Sequence, residues 1–149
     1  MGDLANGRTV RSLCYLLTKY KDLSVYFVAP QVVRMKDDIK QYLDRNNVRF
    51  EEEDDLSKVA SKVDVIYQTR IQRERFGDRV HEYENARGRY IINGDVMKQM
   101  KGSAIVMHPL PRVDEISPEI DADPRAAYFR QAHNGLYIRM ALLQMVLDV

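Results

Sequence analysis

The sequence predicts an α/β fold in which a parallel sheet is covered by helices on both sides. Segments with apolar residues at helical spacing alternate with short runs that are apolar throughout. Strands buried on both faces give such continuous runs, and parallel sheets are the usual place for them. The length of 149 residues fits one domain, here taken as residues 1–149.

The first half of the chain predicts helix, strand, helix and a weaker strand. The first helix is marked by Val10, Leu13, Cys14 and Leu17. Residues 24–29 form an apolar run that ends at Pro30, which indicates a buried strand. The second helix is marked by Met35, Ile39, Tyr42 and Leu43 and ends near residues 46–47. Residues 48–50 are predicted to form the weaker strand.

The second half continues the alternation. A short third helix is marked by Leu56, Val59, Ala60 and Val63, and residues 64–68 follow as a strand. Residues 69–89 are a charged stretch without an assigned element. A short helix over residues 95–101 leads to a buried strand at 104–107. The last helix is marked by Leu136, Met140, Leu143 and Leu147.

Composition and charge exclude several classes of function. A net charge of +1 without a basic stripe disfavours nucleic acid or an anionic membrane surface as partner. No apolar run approaches the ~20 residues that span a bilayer, and residues 1–7 do not resemble a signal peptide. The single cysteine, Cys14, excludes an internal disulfide, fits a reducing compartment and is expected to be a buried, inert thiol.

Three segments occupy the positions where parallel sheets bind ligands, in loops beyond the carboxyl ends of strands. They are residues 3–9, 69–76 and 108–115. The first leads into a helix as such loops do, yet only two residues precede it. The chain is therefore expected to lack its first strand and everything before that strand.

The third segment begins His-Pro-Leu-Pro-Arg at residue 108. Proline fixes φ and has no backbone N–H, so Pro109 and Pro111 predict a stiff turn with carbonyl acceptors and few competing donors. Such a turn suits an amine or amide of a substrate. A rigid loop of purely structural use is an equally good interpretation of these residues alone.

The other two segments carry arginines. Arg70 and Arg75 follow a buried strand, and Glu74 lies four residues beyond Arg70, where it could hold that guanidinium in place. Arg8 stands at a helix start, where a cation near the positive end of the helix dipole costs roughly 0.3–1 kcal/mol. A bound anion would reverse that effect. Solvated charges are the alternative interpretation for both. Together with the proline turn, the loops suggest a small molecule with two carboxylates and one amine.

The same segments resemble a known family. Residues 2–13 (Gly-Asp-Leu, then Gly-Arg-Thr-Val and Ser-Leu), 69–75 (Thr-Arg-Ile-Gln, then Glu-Arg) and 108–112 are similar, in this order and spacing, to the aspartate domain of aspartate carbamoyltransferases. Residues 123–132 and 134–139 resemble that family's C-terminal helices, so the likeness covers essentially the whole chain. The His-Pro-Leu-Pro-Arg run distinguishes this chain from the sister ornithine enzymes. The sequence resembles plant members of the family more than bacterial ones.

The resemblance implies roles for individual residues. Arg8 and Arg70 would each bind one aspartate carboxylate, with Gln72 beside Arg70. The backbone carbonyls of Pro109 and Leu110 would face the reacting amine and carbamoyl group. The supporting residues implied are Glu74, which orients Arg70 on domain closure, Arg75, and Arg139 near the site. Residues 73–88 would form a mobile loop, and the Leu110–Pro111 peptide would be cis.

The resemblance also implies what this chain does not carry. The family binds carbamoyl phosphate with a Ser-Thr-Arg-Thr loop and a His-Pro-x-Gln segment, which this sequence lacks. No catalytic residue is therefore assigned to this half, and no metal or cofactor is expected.

The complete enzyme would be a homotrimer acting on L-aspartate and carbamoyl phosphate in pyrimidine biosynthesis. It would be cytoplasmic, or plastid if plant-type. A non-catalytic structural or regulatory module of the same fold is the alternative function.

The family's sheet is doubly wound, and the strand expected to be missing lies at its centre. The strands near Val25 and Asp64 would flank it. Without it, they either pair directly or leave two separated strand pairs with a groove between them, and the groove is the expectation. The isolated chain is expected to be inactive, marginally stable and prone to aggregation.

Overall fold

The computed structural model describes residues 1–147 and alternates helices with short parallel strands. The helices are α1 (Arg8–Leu17), α2 (Asp37–Arg45), α3 (Ser57–Ala60), α4 (Val80–Ala86), α5 (Gly94–Gln99) and α6 (Tyr128–Leu147). The strands are β1 (Ser24–Val28), β2 (Arg49–Glu53), β3 (Val65–Tyr67) and β4 (Ile105–Met107). Short 3₁₀ turns cover Gln31–Val33, Arg73–Arg75 and Pro118–Ile120. The predicted α/β class is thereby confirmed.

The strands form two separate parallel pairs, as the groove expectation requires. β1 pairs with β2, and β3 pairs with β4. Within residues 1–147, no ladder joins β1 to β3.

Met1 and Gly2 bridge the two pairs at their carboxyl edge. The Met1 amine donates a hydrogen bond to the Tyr67 carbonyl at 2.6 Å, and the Gly2 N–H donates to the Val28 carbonyl at 3.1 Å. The Met1 carbonyl accepts from the Thr69 N–H at 3.0 Å. Gly2 has φ 98°, and a Cβ there would lie 2.1 Å from the Thr69 carbonyl oxygen, so only glycine fits this close approach. The space between the pairs is therefore closed by backbone where the loops begin.

Two apolar cores lie against the two strand pairs. One gathers around β1, α1 and α2, and its most deeply buried side chains include Leu4, Ile39 and Leu43. The other gathers around β3, β4 and α5 and includes Ile92, Val106, Ile116 and Tyr128. These cores fix the strand ends, and thereby the loops that follow them.

The start of α2 and the assignment of residues 80–86 differ from the prediction. Met35 is buried but precedes α2, which begins at Asp37 with two acidic residues in its first turn, where the helix dipole favours negative charge. Helix α4 was not predicted, because its seven residues, which include two glutamates, lie inside the charged stretch of residues 69–89. Its Tyr83 ring packs against Phe76 with ring centroids 5.6 Å apart.

Helix α6 forms over the predicted apolar residues, but these residues are solvent-exposed. Leu136, Met140 and Leu143 are 50%, 56% and 60% exposed. The N-terminal end of the helix is held in the apolar core, since Tyr128, its first residue, is fully buried. None of the helices within residues 1–147 meets the length and apolarity that crossing a membrane requires.

Candidate functional site

The three predicted loops converge on one pocket at the carboxyl edge of the strands. Its volume is about 210 Å³. The lining residues come from all three loops: Asp3, Gly7, Arg8, Thr9, Thr69, Arg70, Gln72, Arg75, His108, Pro109, Leu110 and Pro111. The structure thus brings together five predicted binding residues (Arg8, Arg70, Gln72, Pro109 and Leu110) and the supporting residue Arg75.

The first loop is built on the buried side chain of Asp3. Its carboxylate accepts hydrogen bonds from the backbone N–H and side-chain amide of Asn6, both at 3.0 Å. This turn delivers the chain to Gly7, where a Cβ would lie 2.7 Å from the Asp3 carbonyl oxygen. Helix α1 then starts at Arg8 with no side-chain cap and no acidic residue in its first turn. The positive end of the helix is therefore open beside the pocket, which suits an anionic group.

The second loop follows β3 and is held to the first. The backbone N–H and hydroxyl of Thr69 both donate to the Met1 carbonyl, at 3.0 and 2.9 Å. Arg70 and Gln72 are half-buried at the pocket wall. Within residues 1–147, neither Arg8 nor Arg70 forms an ion pair with a carboxylate. Two guanidinium groups from separate loops are therefore available to a ligand that carries two carboxylates.

Glu74 lies apart from this pocket. It lines a different surface depression with Arg73, Gly77 and Val80. The hydrogen bonds and ion pairs of residues 1–147 do not include a Glu74–Arg70 contact, so its orienting role stays a prediction. Arg139 is on α6, beside Gly135, and does not line the pocket.

The third loop presents backbone acceptors. The Leu110–Pro111 peptide is cis, as predicted. Leu110 has φ 49°, which is uncommon for a residue with a side chain. Within residues 1–147 the carbonyl groups of Pro109 and Leu110 accept no hydrogen bond. They remain available to a donor in the pocket.

A buried histidine–glutamate pair closes this loop and was missed by the sequence analysis. His108 Nε2 lies 2.8 Å from Glu115 Oε1. Burial raises the pKa of the Glu115 carboxyl, but hydrogen bonds from His108 and the Val113 N–H outweigh burial, so the pKa lies below its ordinary value. The only sequence signal was an acid seven residues after the histidine, which by itself fits many loops.

A second missed group anchors the loop to the base of α6. Arg112 is bidentate to Asp121 and donates to the Tyr128 hydroxyl at 3.1 Å. Its guanidinium also lies over the Tyr128 and Phe129 rings, 5.3 and 5.7 Å from the centroids. Arg112 lowers the pKa of Asp121, whereas burial, followed by the hydrogen bond to Asp121, raises the pKa of Tyr128 to about 12. This group supports the turn rather than lining the pocket.

The remaining chemical candidates lie outside the site. Cys14 is buried on α1, and burial raises the pKa of its thiol to about 11, consistent with an inert thiol. Among residues 1–147, no group of three or more His, Cys, Asp or Glu side chains is arranged to hold a metal ion.

Comparison with known proteins identifies relatives of this chain. Residues 1–146 match the aspartate/ornithine carbamoyltransferase Asp/Orn binding domain. The chain is 66% identical over 147 residues to chloroplastic aspartate carbamoyltransferase 1 of Pisum sativum and 65% identical to the chloroplastic enzyme of Arabidopsis thaliana. Each alignment covers 99% of this chain and 38% of the relative, so the chain spans less than half the length of these relatives.

Solved structures agree with the sequence relatives. The catalytic subunit of M. jannaschii aspartate transcarbamoylase aligns with a TM-score of 0.88 and 42% identity, over 99% of this chain and 47% of that one. Trypanosoma cruzi aspartate transcarbamoylase in complex with N-(phosphonacetyl)-L-aspartic acid aligns with a TM-score of 0.85 and 41% identity, over 96% and 46%.

Proposed function

The chain belongs to the aspartate/ornithine carbamoyltransferase family, as its Asp/Orn binding domain, and from this premise we propose that it is the aspartate-binding half of an aspartate carbamoyltransferase. The complete enzyme would transfer a carbamoyl group from carbamoyl phosphate to L-aspartate, a step of pyrimidine biosynthesis. The relatives that are 66% and 65% identical to the chain are aspartate carbamoyltransferases, which supports aspartate as the substrate.

The observation that carries the proposal is the composition of the 210 Å³ pocket. Arg8 and Arg70 approach it from separate loops without a carboxylate partner within residues 1–147, and a planar guanidinium binds a carboxylate in a bidentate manner. Pro109 and Leu110 line the same pocket, and among residues 1–147 their carbonyl groups accept no hydrogen bond. Two carboxylates and one amine are the polar groups of aspartate, so each has a complementary partner.

In the proposed reaction the aspartate amine attacks the carbamoyl carbon, the bond from that carbon to the phosphate oxygen breaks, and phosphate leaves. The attacking nitrogen loses a proton, which the departing phosphate takes up. The residues of this chain would bind and orient the amine through backbone carbonyls, and would hold the carboxylates in the arginine pair. Holding the nucleophile in a reactive geometry lowers the barrier mainly through positioning.

The carbamoyl phosphate site would come from sequence outside these residues, and the assembled enzyme would be a homotrimer. The carbamoyl phosphate and aspartate complexes of the Trypanosoma cruzi relative support both substrates. The chloroplastic plant relatives of this chain support a plastid location. The sequence motifs expected for carbamoyl phosphate are absent from residues 1–149, so the isolated chain should form no carbamoyl-aspartate.

The test is an assay of the full-length protein that contains this chain, with carbamoyl phosphate and either L-aspartate, D-aspartate or L-ornithine. We expect carbamoyl-L-aspartate and phosphate in equal amounts, with little product from the other two amino acids. Equal rates with L-ornithine, or no product with L-aspartate, would contradict the proposal. The 149-residue chain alone is the matched negative control.

A further inference from the structure

The His108–Glu115 pair has a definite proton arrangement. His108 Nδ1 accepts a hydrogen bond from the Leu110 N–H at 2.8 Å, and an accepting ring nitrogen carries no proton. The proton of the neutral ring is therefore on Nε2, which donates to Glu115 Oε1 at 2.8 Å. The second carboxylate oxygen, Oε2, accepts from the Val113 N–H at 3.2 Å. The carboxylate thus fixes the tautomer of the ring.

The fixed ring in turn orients a peptide group of the proline turn. The Pro109–Leu110 peptide is trans, and in a planar trans peptide the C=O and the N–H point in opposite directions. Because the Leu110 N–H is directed at the His108 ring, the Pro109 carbonyl is directed away from that ring. The two prolines offer no N–H of their own, so the contact at Leu110 is the one that sets this plane.

The pair has little freedom to rearrange. His108 is 2% exposed and Glu115 is 6% exposed. The His108 backbone is also held, because its N–H donates to Gln131 Oε1 of α6 at 3.0 Å. A peptide plane that rests on such a buried group is held more firmly than one exposed to water.

We propose that His108, oriented by Glu115, is a positioning residue that directs the Pro109 carbonyl toward the amine of the amino-acid substrate. This inference rests on the proposed function, since it concerns the same pocket. His108 does not need to touch the substrate in this role.

Two substitutions of His108 separate positioning from packing in the full-length enzyme. In His108→Asn, the side-chain oxygen lies near the place of Nδ1 and still accepts from the Leu110 N–H, while the link to Glu115 is lost. In His108→Gln, the amide reaches Glu115 but leaves no acceptor near the place of Nδ1. We expect His108→Gln to lower kcat/KM for aspartate by about 100-fold, as a displacement of about 1 Å does. His108→Asn should retain activity within about 10-fold of the wild type, and the KM for carbamoyl phosphate should not change in either variant.

An equal loss of kcat/KM in both variants would overturn the proposal in favour of a packing role, and so would no loss in either. If the full-length wild-type protein does not carbamoylate aspartate, both the proposed function and this inference are wrong. If the wild type is active and both variants are as active as the wild type, only this inference is wrong.

A spectroscopic measurement keeps the inference testable should a variant not fold. In the ¹⁵N-histidine spectrum of the full-length protein at neutral pH, His108 should show the neutral tautomer with the proton on Nε2. The exposed His133 of α6, whose ring hydrogen-bonds to the Tyr137 hydroxyl at 3.0 Å, is the reference signal. A proton on Nδ1, or a doubly protonated ring, would overturn the arrangement on which the proposal depends.

Discussion

The carboxylate of Asp3 and the guanidinium of Arg75 form an ion pair at 3.2 Å across 72 residues of sequence. The Asp3 side chain is fully buried, whereas one third of the Arg75 side chain is exposed. The pair joins the loop before α1 to the loop after β3, and these two loops carry the arginines of the pocket. The relative position of Arg8 and Arg70 therefore depends on a contact that neither of them makes.

Arg75→Ala should destabilise the chain, because it leaves the buried Asp3 carboxylate with Asn6 as its remaining side-chain partner. The expected loss is about 1–3 kcal/mol in the free energy of unfolding, measured by urea titration. Arg73→Ala is the matched control, since Arg73 is exposed and has no ion pair within the described residues. Equal effects of the two substitutions would show that the ion pair does not stabilise the fold.

Arg70→Ala in the full-length enzyme should raise the KM for aspartate by about 10- to 150-fold, which corresponds to the loss of one charge-assisted contact of roughly 1.5–3 kcal/mol. Affinity for carbamoyl phosphate should stay near that of the wild type. Arg49→Ala is the control, because Arg49 lies at the amino-terminal end of strand β2, whereas the pocket lies at the carboxyl edge of the strands. Equal losses of both affinities would mean that the substitution disrupts the fold of the site rather than removing a ligand contact.

Glu115→Gln should reduce stability in a pH-dependent manner. The folded-state pKa of Glu115 lies below its ordinary value of 4.5, so the ionised group stabilises the fold above that pH, and this contribution is lost as the pH falls through the folded pKa. The difference in unfolding free energy between wild type and variant should therefore be largest near neutral pH and shrink below about pH 4.5. Glu84→Gln, an exposed position on α4, should show no such trend. A difference that is constant with pH would contradict an ionised Glu115 carboxylate.

Cys14 should resist alkylation in the folded chain. Its thiol pKa rises from 9.0 to about 11 on burial, which lowers the thiolate fraction by about 100-fold at neutral pH. Limited access adds to this, since 3% of the residue is exposed. The rate of reaction with iodoacetamide, compared between native and urea-unfolded protein, provides the measurement. Similar rates in the two states would show that the thiol is accessible.

The isolated chain should self-associate through the exposed apolar side chains of α6, of which Leu143 is 60% exposed. Leu143→Glu should reduce association, as measured by sedimentation velocity. Gln144→Glu adds the same charge to the neighbouring exposed position and is the control. A wild-type chain that remains monomeric and unfolds in one cooperative transition would contradict both the association and the expected marginal stability.

The sequence by itself determined the alternation of helices and strands and the three loops that form the site. Both follow from local patterns: apolar periodicity marks the elements, and a polar segment after a buried strand marks a loop at the carboxyl edge. Arg8, Arg70 and the proline turn could be identified in this way. Family resemblance, not periodicity, supplied the roles of single residues and the cis peptide at Leu110–Pro111.

Only the tertiary structure decided which polar groups meet. Asp3 reaches Arg75, and His108 holds the Leu110 N–H while bonding to Glu115. The physical reason is that such contacts depend on how separate loops are brought together by the sheet and on the orientation of individual peptide planes. Hydrophobic periodicity carries information about burial on one element, but none about these directions. For the same reason it predicted α6 correctly as a helix without revealing that its apolar face is exposed.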